Sequence, residues 1–268
     1  MGHIYIHMNS NQDVSKVPLT GSDHEPIMPS QWPNAPTPAT DGQGIIGMLT
    51  GFYIKQKFTP SCFGTTKVFR GYYPNTHPSD KLKSKLFKCT MNAPCMSACT
   101  PSSCRSFVYD VELYTVSHGI KMKYKFLRLV MNSNFTCLCC SAPTVRVEYV
   151  ELGGSEVLGY VRFPYNFCKL VGYMYDESSF AHPKYEVVCE SCQLAICGQI
   201  EMDIYEGKNH SKIGSVSKVF AGMIREMAHL DNFIVSYPYN LPWKDKCLFI
   251  GHVVLLDMLY FEGKDSNK

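Results

Sequence analysis

The chain predicts a mainly β protein, a closed β-barrel around a buried C-terminal hydrophobic helix. Three observations predict it. Beyond Gly44, short strand-like runs follow one another between turn residues. Only two helical patterns interrupt them. The longest apolar run, CLFIGHVVLLDMLYF from Cys247 to Phe261, places apolar side chains on every side of a helix. Regular short strands point to a sandwich or barrel. Rolling such a sheet around an all-apolar helix removes the sheet edges and covers the helix in one step.

Residues 1–44 hold Pro26, Pro29, Pro33, Pro36 and Pro38 among polar residues. That composition buries too little apolar surface to fold, so a disordered tail is expected. The spacings Pro26 to Pro29 and Pro33 to Pro36 suit SH3 or WW domain grooves, and they equally suit a plain solvated tail. The barrel domain is expected over 45–262. SFVYDVELYT and IKMKYKFLRLV flank Ser117-His118-Gly119, and TVRVEYVEL meets VLGYVRFP across Gly153-Gly154, two hairpin signals. YEVVC, QIEMDIY and KIGSVSKV read as further strands. Val219, Phe220, Met223, Ile224 and Met227 repeat at helical spacing, and Asp231-Asn232 breaks the pattern before a strand-like FIVSY. The terminal helix is expected over 242–262, with Pro242 in its first turn. Its fifteen-residue apolar core, carrying His252 and Asp257, is short of the ~20 residues a spanning helix needs, which favours a core helix over a membrane segment. Residues 263–268 form a short tail.

The start, MGHIYIHMNS, lacks the cationic and continuously apolar stretches of a secretory signal, and Ile6 breaks the myristoylation pattern after Gly2. A cytosolic chain is expected, its thirteen cysteines reduced and its sequons at Asn134 and Asn209 unused. Net charge is +3, but residues 1–54 carry −3, residues 55–128 carry +10 and residues 129–268 carry −4. The middle third is therefore the expected anion-facing part.

Lys121, Lys123 and Lys125 alternate with Ile120, Met122, Tyr124 and Phe126, so one strand should turn apolar groups inward and ammonium groups outward. Lys81, Lys83, Lys85 and Lys88 repeat the device. Near an anionic leaflet each lysine contributes ~1 kcal/mol; an ordinary solvated strand face is the alternative. Nucleic acid is not expected, because exposed aromatics do not interleave with these bases. Cys137, Cys139 and Cys140 fit a zinc knuckle poorly, and only Cys189 and Cys192, with Cys197 nearby, show the spacing of a metal pair, so zinc is not expected. Cys89, Cys95, Cys99 and Cys104 show no clean metal spacing. No Gly-rich phosphate loop, nucleophile elbow or paired metal-binding histidine motif occurs, so no enzyme is expected. His252 and Asp257, five apart, are too far round the helix to pair and read as satisfied core polar groups.

The order Gly214, Ser217-Lys218, Gly222, Arg225-Glu226, Asp231-Asn232-Phe233, Pro238, Gly251, Asp257 and Phe261-Glu262 resembles the phospholipid scramblase family. The likeness continues through LGYVRFP, CESCQLAICG and the cluster at Cys137, and reaches LTGFYIKQKF, Leu49 to Phe58, which is similar to the family's first strand. The resemblance implies a tubby-like barrel threaded by the C-terminal helix. It implies S-palmitoylation at Cys137, Cys139 and Cys140, where a basic surface would supply the second membrane signal that one acyl chain lacks. It implies calcium in the loop holding His229, Asp231, Asn232, Ser236 and Asn240, where a single carboxylate makes only a weak site. A nuclear-import stretch within GSVSKVFAG is implied too, with Lys218 its one charge. The implied function is ATP-independent, bidirectional movement of phospholipids between leaflets, nominally calcium-activated, at the cytoplasmic face of the plasma membrane. The rival is a palmitoylated or peripheral lipid-binding adaptor that recruits partners through its proline-rich tail.

Overall fold

The computed structural model describes residues 42–61, 64–73, 85–91, 106–117, 120–131, 142–151, 153–164, 169–189, 200–219 and 232–261. A short helix, α1 (Gly42–Gly47), precedes twelve strands: β1 (Gly51–Ser61), β2 (Gly64–Tyr72), β3 (Lys85–Met91), β4 (Phe107–Ser117), β5 (Ile120–Met131), β6 (Thr144–Glu151), β7 (Gly154–Arg162), β8 (Leu170–Tyr175), β9 (Tyr185–Cys189), β10 (Ile200–Glu206), β11 (Ser211–Val219) and β12 (Asn232–Ser236). They pair antiparallel in sequence order, and β12 closes on β1, Phe52 opposite Val235 and Ile54 opposite Phe233. The expected closed barrel is present and leaves no free edge.

Inside it runs α2 (Trp243–Leu256), extended by a π-helical turn, Asp257–Phe261. Pro242 caps α2 from an extended backbone rather than entering its first turn, and its carbonyl accepts from the amides of Asp245 and Lys246. Every residue from Cys247 to Leu256 is buried, each side chain at most 1% exposed. Inward side chains of β6 and β7 explain the fit: a Cβ on Gly251 would lie 2.9 Å from Val147 and 3.6 Å from Val161. The helix is thus a core element, and no helix among the described residues is long and apolar enough to cross a membrane.

Because neighbouring strands alternate in direction, the barrel has two distinct rims. At one, the α1 rim, lie α1, the start of α2 and the β4–β5, β6–β7, β8–β9 and β10–β11 turns. At the opposite rim lie the C-terminal ends of β1, β3, β5, β7, β9 and β11 and the end of α2. Two sequence expectations change. Val219 ends β11, opposite Asn232, instead of opening a helix; residues 220–231 lie outside the described residues. Ile120 and Met122 do not point into a core: they are 67% and 51% exposed.

Candidate functional site

The exposed apolar pair sits on a ribbon that outruns the barrel. β4 leaves β3 after Leu113, and β5 is joined by β6 only from Leu127, yet β4 and β5 remain paired to Ser117 and Ile120. Residues 114–117 and 120–124 therefore form a ribbon with no third paired strand; with β3 beginning at Lys85 its tip stands roughly 7 Å beyond that neighbour, and Tyr124 at its root still packs against the core. A register shift opposite Val111/Glu112 brings both Phe126 and Leu127 into the core, so the alternation on β5 changes face where the ribbon begins. Lys121, Lys123 and Lys125 are exposed as expected. Two are compensated: Lys123 donates to Glu112 at 3.0 Å and Lys125 pairs with Asp110 at 2.8 Å. Lys121 makes no ion pair among the described residues.

Lys85 starts β3 at this same rim, and the connection carrying Lys81 and Lys83, itself outside the described residues, leaves from Tyr73 and returns at Lys85. Below the ribbon, outside β4 to β7, a groove of about 610 Å³ is lined by Asp110, Lys125, Arg128, Arg146 and Glu148. Its charges largely satisfy one another, with Arg146 2.6 Å from Glu148 and Arg128 3.7 Å from Asp110.

The polar groups that fix α2 in the barrel were not legible beforehand. Lys246 is fully buried and donates to the carbonyls of Gly47 at 2.6 Å, Leu49 at 2.8 Å and Tyr239 at 2.8 Å. The ammonium also lies over the rings of Tyr237 and Tyr239. Burial pulls it down to about 8, so it remains mostly charged at neutral pH. One residue earlier, Asp245 receives Lys184 at 2.8 Å and the Tyr185 hydroxyl at 2.9 Å. Burial, then Asp245, raises the Tyr185 phenol. At the other end Gln56, inward on β1, donates to Oδ2 of Asp257 at 2.8 Å, which satisfies one oxygen of that acid. His252 departs from expectation: neither ring nitrogen has a hydrogen-bond partner among the described residues, and the ring packs 5.0 Å from Phe163. Burial holds it neutral, pushed down to about 3. Gly172 makes its space, since a Cβ there would meet Nε2 at 2.5 Å.

The remaining candidates scatter. Asn232 and Ser236 open and close β12 and are hydrogen-bonded into the sheet on both sides; Asn232 is buried, Ser236 and Asn240 are exposed, and Asp231 lies outside the described residues. Four residues of strand separate Asn232 from Ser236 by ~13 Å. Calcium takes oxygens at ~2.3–2.6 Å, so the two cannot share one ion, and the set of four does not fit a single coordination shell as the strand holds it. Among the described residues no cluster of His, Cys, Asp and Glu could hold a metal. Cys189 ends β9 buried, while Cys192 and Cys197 lie outside the described residues. So do Cys137, Cys139 and Cys140, but their connection leaves β5 at Met131 and enters β6 at Thr144, both at the opposite rim. That is ten strand residues, ~33 Å, from Lys121. Pro26, Pro29, Pro33 and Pro36 also fall outside the described residues.

The barrel from β5 to the end of α2 coincides with a known family: the Scramblase family model matches residues 121–263, more than half of the chain. The chain belongs to the scramblase family. Homo sapiens phospholipid scramblase 4 is 24% identical over 251 residues, 90% of this chain and 71% of that protein. Homo sapiens phospholipid scramblase 1 is 26% identical over 131 residues, 48% of this chain and 40% of that protein. Mus musculus phospholipid scramblase 4 is 26% identical over 137 residues, covering 50% of this chain and 41% of the relative. No solved structure matches significantly. In this scramblase-family barrel the matched region contains the lysines of β5, the buried rod and the positions of Cys137, Cys139, Cys140, Cys189, Cys192, Cys197 and the oxygen-donor candidates.

Proposed function

We propose that the protein is a phospholipid scramblase, moving phospholipids in both directions between leaflets from the cytoplasmic face of the plasma membrane. The observation that carries this reading is the family match, which runs from the ribbon through the closing strand and the rod, together with a relative of that name aligned over 90% of the chain. Movement in both directions only dissipates a lipid gradient, so it proceeds downhill and requires no ATP. With α2 enclosed, lipid exchange would come from contact of the barrel surface with one leaflet rather than from a spanning helix.

Calcium would act through lipid phosphates with Asp231 or Asn240, since Asn232 and Ser236 are too far apart to complete a shell. Acylation at Cys137, Cys139 and Cys140 would tether the rim opposite the lysines. The tail prolines would serve SH3 or WW partners. The decisive experiment reconstitutes the full chain in liposomes with a labelled lipid in both leaflets and adds a membrane-impermeant quencher. Loss of inner-leaflet protection without ATP is expected, with only a shallow response to calcium. Tight binding with full protection of the inner leaflet would replace the scramblase reading with the adaptor.

A further inference from the structure

Six large apolar side chains are exposed among the described residues, and four gather at one end of the barrel. Tyr73 follows β2, Ile120 and Met122 tip the β4–β5 ribbon, and Tyr239 lies just before α2, all at the α1 rim. Val157, level with Glu148, and Ile234, on the outer face of β12, lie on the barrel wall. The clustering is not what random surface exposure of single apolar residues produces. Ribbon residues 114–117 and 120–124 have no third strand, and a two-stranded ribbon with a bare Ile and Met is marginal in water. Its other face presents lysines.

We infer that the α1 rim is a bilayer-docking edge on which the β4–β5 ribbon enters an anionic leaflet first, Ile120 and Met122 reaching the acyl boundary while Lys121 meets phosphate. The inference rests on the membrane role proposed above and adds an orientation to it. Charge selects the bilayer and its tilt. Lys85 and Lys121 lie on the β3 to β5 side of the rim, whereas exposed Glu151 and Glu177 lie on the β6 to β9 side, Lys123 and Asp176 being paired with Glu112 and Lys184. An anionic surface attracts the first side and repels the second, so the barrel leans onto its ribbon. The roughly 7 Å by which the tip passes β3 matches the ~5–10 Å that interfacial segments sink, which leaves Lys125 and the charged groove at headgroup level. Tyrosines such as Tyr73 and Tyr239 suit that level, an apolar ring beside a polar hydroxyl.

The test uses the full chain and vesicles of phosphatidylcholine with or without phosphatidylserine. Tryptophan placed at the tip, Met122→Trp, is expected to be quenched by acyl-brominated lipid above the background of Trp32 and Trp243. Tryptophan at the opposite rim, Lys169→Trp, is expected to stay unquenched. The double change Ile120→Ser and Met122→Ser is expected to weaken vesicle binding about thirtyfold without moving the thermal midpoint, because both side chains are already in water. Lys121→Glu is expected to remove much of the preference for phosphatidylserine. Equal quenching at the two rims, or unaltered binding by the double variant, overturns the docking mode. So does self-association of the native chain that the double variant abolishes, which would assign the tip to a second copy. Lipid exchange followed in the same vesicles separates the two readings. Exchange without tip quenching sinks the docking mode alone, tip quenching without exchange sinks the scramblase reading alone, and absence of vesicle binding sinks both.

Discussion

His252 shows how one buried side chain sets a pH response. Its imidazole is enclosed and neutral, held down to about 3, whereas an unfolded chain would bind a proton below ~6.5. Between these values the unfolded state carries more protons, so stability is complete above pH 6.5 and declines as the pH falls toward 3. The contribution lost by pH 5 is ~2 kcal/mol. Urea midpoints measured from pH 7 to pH 5 should fall accordingly, and His252→Leu, which keeps the volume and removes the titration, should flatten that limb. An unchanged slope in the variant would clear His252 of the effect. The residue also shows what a sequence conceals: five residues from Asp257, it read as a satisfied polar group, but Gly172 and Phe163 gave it space and ring contact and no acceptor.

At the scale of elements, Lys246 stitches three of them. Its ammonium ties the end of α1, the approach to β1 and the β12–α2 turn to the first turn of the rod. Replacing it with methionine keeps the apolar stem but strands three carbonyls, at a cost of ~3 kcal/mol. Lys246→Met should therefore lower the urea midpoint with little change in slope, whereas the exposed Lys244→Met should leave it nearly in place. Neither Lys246 nor Asp245 was legible, because the apolar run begins at Cys247 and its flank read as ordinary solvated charge. The strands divide similarly. β4, β5, β6 and β7 announce themselves by alternation and by Ser117-His118-Gly119 and Gly153-Gly154 turns. β2 and β8 do not, with Gly64 and Gly71 in one and Gly172 breaking the alternation of the other, and β3 is a short run of mixed character. Alternation also cannot say where a barrel ends, so Ile120 and Met122 read as core when β5 had already passed its neighbours. The lysine pattern was legible; the acids that neutralise Lys123 and Lys125 stand on the partner strand, out of reach of local pattern.

The whole molecule separates two functions that the sequence had placed together. Lys121 and the strand ends that bound the cysteine-bearing connection occupy opposite rims, so the acylation and the ribbon docking proposed above would draw the barrel to a leaflet from different ends. The scramblase-family barrel also depends on β12 and α2. Phe52 and Ile54 wait for Val235 and Phe233, and the cavity lined by Val147 and Val161 is filled only by α2. A chain ending at residue 240 should therefore be insoluble and bind a hydrophobic dye, since the inward faces of β6 to β8 would be uncovered. Soluble, dye-silent truncated protein would show that the rod is dispensable.

Seam closure between the first and twelfth strands has a counterpart in biosynthesis. Strands β1 to β11 without β12 and α2 would leave two open edges and an unfilled apolar lumen, the condition that favours association during synthesis. A stop codon before residue 232 therefore removes the seam and the filling of the barrel together, more damage than the lost length suggests.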